Sequence, residues 1–446
     1  MSDTICAICT SLGVGAISII RISGEDSFSI VSKIFTKNLN KLSDHSINYG
    51  YIKYNDELID EVLVSIMKAP NTYTKEDVVE INCHGGISST NKILEILLEN
   101  GCRLATPGEF TKRAFLNGRI DISQAQAVND LLYSKTNSAR KVFMNGLTGL
   151  LNKKIESIRK EILDLISNIE VNIDFPEYED NLVITKDILK SKISKLDEEF
   201  EKLIKDAKTT KLMKNGINVS LVGLPNAGKS SVLNALLNEE KAIVSDIKGT
   251  TRDVVEGTIE LNGILINLFD TAGIRKTTNK IEQIGVSKSL KLIDESDLVI
   301  LIIDTSKKIT NEEKDIINNT PKSKLLIFGN KDDILKNKLD ISDVIYGNTT
   351  SIEGIRPLKD AIINKFNLGE IETNDITYLS NVEQVSIIKK CSTNCKHILK
   401  MLKNDEYVDM IEIDLKEILD LLGNITGSSY DEELLDTLFK NFCLGK

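Results

Sequence analysis

No run of apolar residues in the 446-residue chain approaches the roughly 18 that a membrane-crossing helix needs. The N-terminus also lacks the basic segment followed by an apolar one that a secretory signal requires. A surplus of positive charge is missing too. With 66 acidic against 56 basic side chains the net charge is −10, so nucleic acid would have to be met by a local patch or with a partner's help. The seven cysteines are an odd number scattered along the chain, which is not a disulfide framework. Cys6-x2-Cys9 and Cys391-x3-Cys395-x-His397 have no second pair at zinc spacing and read as core thiols. These absences make the cytoplasm the expected location, with no membrane association. The length, at 41% hydrophobic residues, leaves room for roughly two to four globular domains.

What is present is organised around residues 217–231. A β-branched apolar run breaks into Gly223-x4-Gly228-Lys229-Ser230 and then into a helical pattern through Val232, Leu233, Ala235, Leu236 and Leu237. This reads as strand, phosphate loop and helix, in which backbone N–H groups turn inward around phosphate at the positive end of the helix. Lys229 would reach the β/γ-phosphates and Ser230 would hold Mg²⁺. A chance glycine turn would not come with that strand and helix.

Before it, residues 1–119 mix strand signals (4–10, 16–22, 58–67, 78–83) with helix signals (26–34, 88–98), a small α/β unit. Two spots are too polar and glycine-rich for simple core, Arg21 to Gly24 and Tyr73 to Gly86. Glu80 and Asn82 alternate with Val79 and Ile81, so on a strand they share a face, which periodicity alone reads as solvated. His84, beside Gly85 and Gly86, reads first as a turn histidine and second as a neighbour of Glu80.

From about residue 120 the texture is amphipathic helix. Leu151, Ile155, Ile158, Ile162, Leu165 and Ile169 step by threes and fours, as do Leu189, Ile193, Leu196, Phe200 and Leu203. Pro176 ends the first of these helices, and the second begins near Thr185. The texture returns at 382–402 and 408–422, so one bundle has a different domain inserted into it. Lysines near 153–160, 201–214 and 389–403 sit among as many acids and read as solvated faces before RNA contacts.

Between 217 and 368 strands and helices alternate. Apolar runs at 217–222, 264–269, 298–303, 325–329 and 344–346 suit strands buried on both faces of a parallel sheet in a doubly wound domain. After the phosphate loop comes Gly249-Thr250-Thr251-Arg252-Asp253, with Thr251 as a second hydroxyl for Mg²⁺. Asp270-Thr271-Ala272-Gly273 follows, where an acid can hold a Mg²⁺ water and a glycine N–H can meet the γ-phosphate. Asn330-Lys331-Asp332-Asp333 comes after the fourth strand. The Asp333 carboxylate can accept from guanine N1–H and its amine, donors that adenine lacks; the unpaired acid would cost adenine about 10³-fold or more. Guanine is the expected base. Residue 274 is Ile, where Ras-like proteins carry a water-orienting glutamine. Three replacements are open on chemistry alone: the Glu282 carboxylate, the positive charge of Arg252 or Arg275, and a monovalent cation held by Asn226 with Ser245, Ile247 and Thr250.

With these motifs together the chain closely resembles the MnmE (TrmE) family of tRNA uridine-modification GTPases. The resemblance runs from Arg21 to Lys446 and is carried by Arg21-Ile-Ser-Gly24, the Tyr73 to Glu80 stretch and Pro107-Gly-Glu-Phe-Thr-Lys-Arg-Ala-Phe-Leu-Asn-Gly-Arg119. The phosphate loop, Gly249 to Asp253, Asp270 to Arg275 and the terminal Phe442-Cys443-Leu444-Gly445-Lys446 complete it. It implies an α/β plus α fold: a tetrahydrofolate-binding, dimerising α/β domain at 1–119 and a helical domain at 120–214 and 373–446. Into the helical domain a Ras-like P-loop G domain is inserted at 215–372. Folate positions fall on Arg21, Glu80, Arg119 and Lys446, with 5-formyl- or methylene-tetrahydrofolate as ligand. K⁺ ligands fall on Asn226, Ser245, Ile247 and Thr250, Mg²⁺ on Ser230 and Thr251, and the water-orienting acid on Glu282, so the resemblance favours the cation.

The implied GTP-binding set is Asn226, Ala227, Gly228, Lys229, Ser230 and Ser231, then Ser245, Asp246, Ile247, Lys248, Gly249, Thr250 and Thr251. It continues with Asp270, Thr271, Ala272 and Gly273, then Asn330, Lys331 and Asp333, and ends with Asn348, Thr349 and Thr350. Glu282, Lys229, Thr251 and the Cys443 thiol are the catalytic candidates, Cys443 being equally readable as a small apolar anchor. The implied activity is potassium-stimulated GTP hydrolysis by a homodimer. It serves modification of C5 of the tRNA wobble uridine together with an FAD-containing MnmG (GidA) partner in a heterotetramer-type complex. Three places depart from the family pattern: Thr10 to Gly15 lacks the usual proline and arginine, Asn348-Thr349-Thr350 replaces Ser-Ala-x, and Arg119 stands where some members have lysine. The other reading is an RNA-binding GTPase switch in ribosome assembly, which would need neither the folate positions nor Cys443 to Lys446.

Overall fold

The structure, a computed structural model, describes residues 3–174, 186–239, 257–270, 296–334, 339–369, 373–404, 408–426, 438–440 and 442–446. They fall into two compact units: Met1–Asn129, Gly146–Asp197 and Ser386–Lys446 make the first, Asp130–Asn145 and Glu198–Val385 the second.

The first unit holds β1 (Ile5–Ile8), β2 (Ile17–Ser23), β3 (Ser46–Tyr54), β4 (Glu57–Met67), β5 (Val78–His84) and β6 (Arg103–Leu104), in the sheet order β3-β4-β5-β2-β1-β6. The two-residue period of β2 and β5 sends Ile20, Ile22, Val79 and Ile81 to a core shared with α1 (Ser27–Ile34) and α2 (Ile87–Glu99). It leaves Arg21, Glu80 and Asn82 on the other face. The antiparallel register sets Arg21 directly opposite Glu80. A third helix, α3 (Glu109–Leu116), carries the Phe-Thr-Lys-Arg stretch. The helical part includes α6 (Leu150–Asp174) and α12 (Val408–Thr426), whose stripes Ile155, Ile158, Ile162 and Ile411, Leu415, Ile418 are buried.

In the second unit the order is β12-β11-β10-β7-β9-β8, all parallel except that β8 (Gly257–Leu261) runs antiparallel to β9 (Ile264–Asp270). β7 (Ile217–Val222) and β10 (Leu298–Asp304) are central, and all seven β10 residues are buried. β11 (Leu325–Asn330) follows. The edge strand β12 (Val344–Tyr346) is half-buried, since one flank has no neighbour in the sheet; the reading of burial on both faces does not hold there. Helices α8 (Lys229–Glu239), α9 (Asn311–Asn319) and α10 (Ile352–Lys365) complete the α/β part. Thr310 and Glu313 form a reciprocal capping box on α9. β3, β6, β8 and α3 were not read from the sequence.

Helices α4 (Ile122–Leu132), α5 (Asn137–Leu147), α7 (Lys186–Asn215) and α11 (Val382–Lys403) contribute residues to both units. Among the described residues no helix is long and apolar enough to cross a membrane, and no group of three His, Cys, Asp or Glu side chains could hold a metal. Cys391 and Cys395 are buried core thiols, and His397 pairs with Asp414 at 2.7 Å.

Candidate functional site

Two polar clusters stand out, one in each unit. In the second unit the chain leaves β7 through Gly223, where a Cβ would lie 2.4 Å from the carbonyl oxygen of Ile302, so only a glycine lets the loop start this close to β10. Asn226 turns the loop in left-handed backbone at φ 67° and Gly228 at φ 99°. A side chain on Gly228 would meet Asn330 Nδ2 at 2.2 Å. That amide donates to Ala227 O at 3.0 Å, and Lys331 Nζ reaches Asn226 O at 3.3 Å, so β11's Asn-Lys stretch is tied to the phosphate loop. Lys331 also meets Asp304 at 2.7 Å. Burial raises the Asp304 pKa, but the Lys331 ammonium and the Ser306 hydroxyl and N–H outweigh it and hold the carboxyl at about 2.

Lys229 is buried, and its ammonium donates to Gly223 O at 2.8 Å and Leu224 O at 3.0 Å. Ser230 and Ser231 are exposed in the first turn of α8. Asp333 lies exposed in the short turn Asp332–Ile334. Asn348 donates to Asp332 at 2.8 Å and accepts from Thr350 N and Oγ1, with Thr349 between them, so the loop at 348–350 adjoins the one at 330–333. Asn330 Oδ1 is buried with no hydrogen-bond partner among the described residues. The β9 register brings Asp270 beside Leu221, just before the phosphate loop; nothing is described of its side chain. Ser245 to Asp253, Thr271 to Arg275 and Glu282 lie outside the described residues.

The cluster in the first unit sits on the sheet face opposite α1 and α2, where Phe110 of α3 and Tyr73 pack over Ile5 and Ala7. Arg21 Nε and Nη2 both meet Glu80 Oε1 at 2.8 Å. The Arg21 guanidinium carbon lies 5.5 Å from the Tyr73 ring centre and 5.6 Å from that of Phe110, and Arg119 lies 4.8 Å from the Tyr73 ring. The loop carrying Tyr73 is held from below. Tyr73 shares a hydrogen bond with Thr111 at 3.0 Å, and buried Arg113 donates to both oxygens of Glu76 at 3.1 Å. Glu76 in turn accepts from Ser23 at 2.7 Å.

The chain end docks at the same place. Gly108 N donates to Cys443 O at 3.2 Å, Cys9 Sγ donates to Gly445 O at 3.1 Å, and a Cβ on Gly445 would lie 2.6 Å from Ile8 O. Lys446 is half-buried there; burial and then the nearby Arg21 charge lower its pKa. Burial raises the pKa of the Cys9 thiol, whereas the Cys443 side chain is exposed. Tyr73, Phe110, Cys9 and Arg113 had no site role in the sequence reading, although Tyr73, Phe110 and Arg113 lay in the quoted motifs and Cys9 was read as a core thiol. His84 pairs with Asp60 at 2.6 Å, which raises the histidine's pKa.

The phosphate loop, the guanine-type loop tied to it and the surrounding domains define the class: a multidomain P-loop GTPase. A family model described as the MnmE helical domain matches residues 122–443, and one described as the GTP-binding protein TrmE N-terminus matches 4–119. The chain is 44% identical over 456 residues to the tRNA modification GTPase MnmE of Bacillus mycoides, covering 100% of this chain and 99% of the relative. It is 45% identical to that of Pediococcus pentosaceus, covering 100% and 98%. Among solved structures, the G domain of the T. maritima FeoB iron transporter aligns at 25% identity over 34% of this chain and 98% of that one, with a TM-score of 0.25, too low to bear on the fold. The chain belongs to the MnmE family of tRNA modification GTPases.

Proposed function

We propose that this chain is a potassium-stimulated GTPase of the cytoplasm that works as a homodimer with an FAD-containing partner of the MnmG type. In this reading it modifies C5 of the wobble uridine of certain tRNAs with a folate one-carbon unit. Its domains would be 1–119, 120–214 with 373–446, and the inserted 215–372.

In the nucleotide site Lys229 binds the β/γ-phosphates, Asp333 reads guanine, Asn348, Thr349 and Thr350 flank the base, and Glu282 orients the attacking water. Ser230 and Thr251 would hold Mg²⁺; Asn226, Ser245, Ile247 and Thr250 would hold K⁺. These ions, when bound, supply neutralisation of the charge that develops between the β- and γ-phosphates. The fit is supported by the close approach of the loop to Asn330, which a side chain on Gly228 would block, and by an exposed Asn226 at the loop's left-handed turn.

In the other site Arg21, Arg119 and Lys446 suit an anionic glutamate tail, and Glu80 suits a donor-rich ring. Half-buried Arg21 against Tyr73 and Phe110, with exposed Arg119 over the Tyr73 ring, fits an aromatic, anionic ligand such as 5-formyl- or methylene-tetrahydrofolate. When bound, it supplies the one-carbon unit. The Cys443 thiol would stand at the mouth of that site.

The observation that carries the enzyme reading over a ribosome-assembly switch is the docking of Cys443 to Lys446 beside Cys9 and the Arg21–Glu80 pair, which a switch does not need. The test is nucleoside analysis of tRNA from cells lacking this protein. Loss of the aminomethyl-type wobble uridine is expected, and an unchanged modification pattern overturns the reading. Faster GTP hydrolysis in KCl than in NaCl, with the difference lost in Asn226→Ala, tests the cation; equal wild-type rates in the two salts would remove it.

A further inference from the structure

β8 and β9 turn through Asn262 and Gly263, both left-handed at φ 48° and 83°, an Asn-Gly hairpin whose twist matches the paired strands. The tip is gripped on two sides. Asn262 Nδ2 donates to Leu368 O at 2.6 Å. Buried Thr136 donates from Oγ1 to Gly263 O at 2.8 Å and accepts from Ala139 N at 3.1 Å, so one hydroxyl both caps helix α5 and clamps the hairpin. The approach leaves no room: a Cβ on Gly263 would lie 2.2 Å from Ser138 Oγ.

The other end of this hairpin lies beside the start of the phosphate loop. β9 ends at Asp270, paired with Leu221 just before the phosphate loop. At ~3.3 Å per residue the clamp is about 20 Å from Asp270 along a continuous strand. Paired with β8 on one side and, from Ile266 to Asp270, with β7 on the other, β9 has little freedom to flex between its tip and Asp270, so a shift at the clamp is carried along the strand to the phosphate-loop end.

We propose that Thr136, outside the G domain's own sequence, is a positioning residue for GTP hydrolysis. By pinning the Asn262–Gly263 tip to the start of α5 it fixes the strand that carries Asp270. This rests on the GTPase reading. The coupling is reciprocal: whatever nucleotide state moves β9 must also load the Thr136 contact, so the first turn of α5 senses the nucleotide.

The test uses the full chain and steady-state GTP hydrolysis, with guanine-nucleotide affinity measured alongside. Thr136→Val should lower kcat about tenfold with KM and GDP affinity close to wild type, since a misplacement under 1 Å at the reacting groups is enough for that. Thr136→Ser, which keeps the hydroxyl, should restore most of it. Gly263→Asn leaves the cap intact and tolerates the left-handed backbone, but its Cβ meets Ser138. It should lower kcat similarly, and adding Ser138→Gly should recover activity. In hydrogen exchange, α5's first turn should differ between GDP and a GTP analogue in wild type and not in Thr136→Val. Wild-type kcat in both Thr136→Val and Gly263→Asn overturns the proposal. So does a loss shared equally by kcat and nucleotide affinity that Ser138→Gly fails to relieve. Absence of hydrolysis in wild type would instead overturn the GTPase reading itself.

Discussion

Replacing Tyr378 by Phe isolates one buried hydrogen bond. Tyr378 is 1% exposed, and its hydroxyl donates to Asp130 Oδ2 at 2.7 Å and shares a 2.7 Å bond with Ser380. Asp130 is itself 4% exposed and takes Lys214 on its other oxygen at 2.8 Å. Burial, then the Asp130 charge, push the phenol's pKa well above its usual value, so it stays a donor at any working pH. The ring's edge-to-face contact with Phe143, at 5.9 Å and 86°, would survive in Phe. What is lost is a charge-assisted bond to a buried carboxylate, worth about 1.5–3 kcal/mol. For a unit of 150–250 residues each kcal/mol moves the midpoint by ~2–4 °C, so Tyr378→Phe should lower the transition of the second unit by roughly 3–12 °C in scanning calorimetry. In a cycle with Lys214→Met the two losses should not add, because both partners serve one carboxylate; a coupling of at least about 0.5 kcal/mol is expected. A drop under about 1 °C, or strict additivity, would refute this account of Asp130.

Asp304 titrates low, so its contribution to stability is present above the ordinary pKa of 3.8 and is lost as pH falls toward about 2. Lys331→Met should therefore cost up to about 2 kcal/mol in urea unfolding at pH 6 without nucleotide, a gap that narrows by pH 3; a gap that widens with acid would contradict the pairing. Gly445→Ala would put a methyl against Ile8 O and force a left-handed backbone at φ 89°. Binding of 5-formyltetrahydrofolate should weaken by about tenfold with an unchanged thermal midpoint, and wild-type affinity would show that the docked end does not serve that site. Iodoacetamide on the native protein should label exposed Cys443 first and half-buried Cys9 slowly, leaving Cys6, Cys83, Cys102, Cys391 and Cys395 untouched in peptide mass spectra.

The nucleotide domain was readable because its signals are consecutive. β10 is six apolar residues in a row before Asp304, and Gly223 to Ser230 carries its chemistry within one short stretch. β3 escaped because its nine residues, with Gly50 and alternating polar side chains, look like loop until β4 pairs with them. The Arg21–Glu80 bond spans 59 residues and the Thr136–Gly263 bond 127, so no local pattern holds either. Resemblance supplied Arg21 and Glu80 without their geometry. Tyr73 needed the fold, since what distinguishes it is having Arg21 and Arg119 against its ring. Arg113 was similarly hidden: a basic residue on a short helix looks solvated until Glu76 and Glu109 close on it.

The docking of residues 438–440 and 442–446 has a consequence for how the protein is made. The small apolar cluster of Ile122, Ala125, Phe439 and Phe442, and the bond from Gly108 to Cys443, join segments that leave the ribosome on either side of Glu198–Val385. At ~5–20 residues per second, the N-terminal sheet waits roughly ten to forty seconds while that stretch is synthesised. During that interval the nascent sheet carries an open apolar seam beside Gly108, so it is then that a chaperone would find it. A ribosome that stalls before residue 438 releases a chain that holds all of the second unit but lacks the contacts of Gly445 and Lys446 beside Cys9 and Arg21.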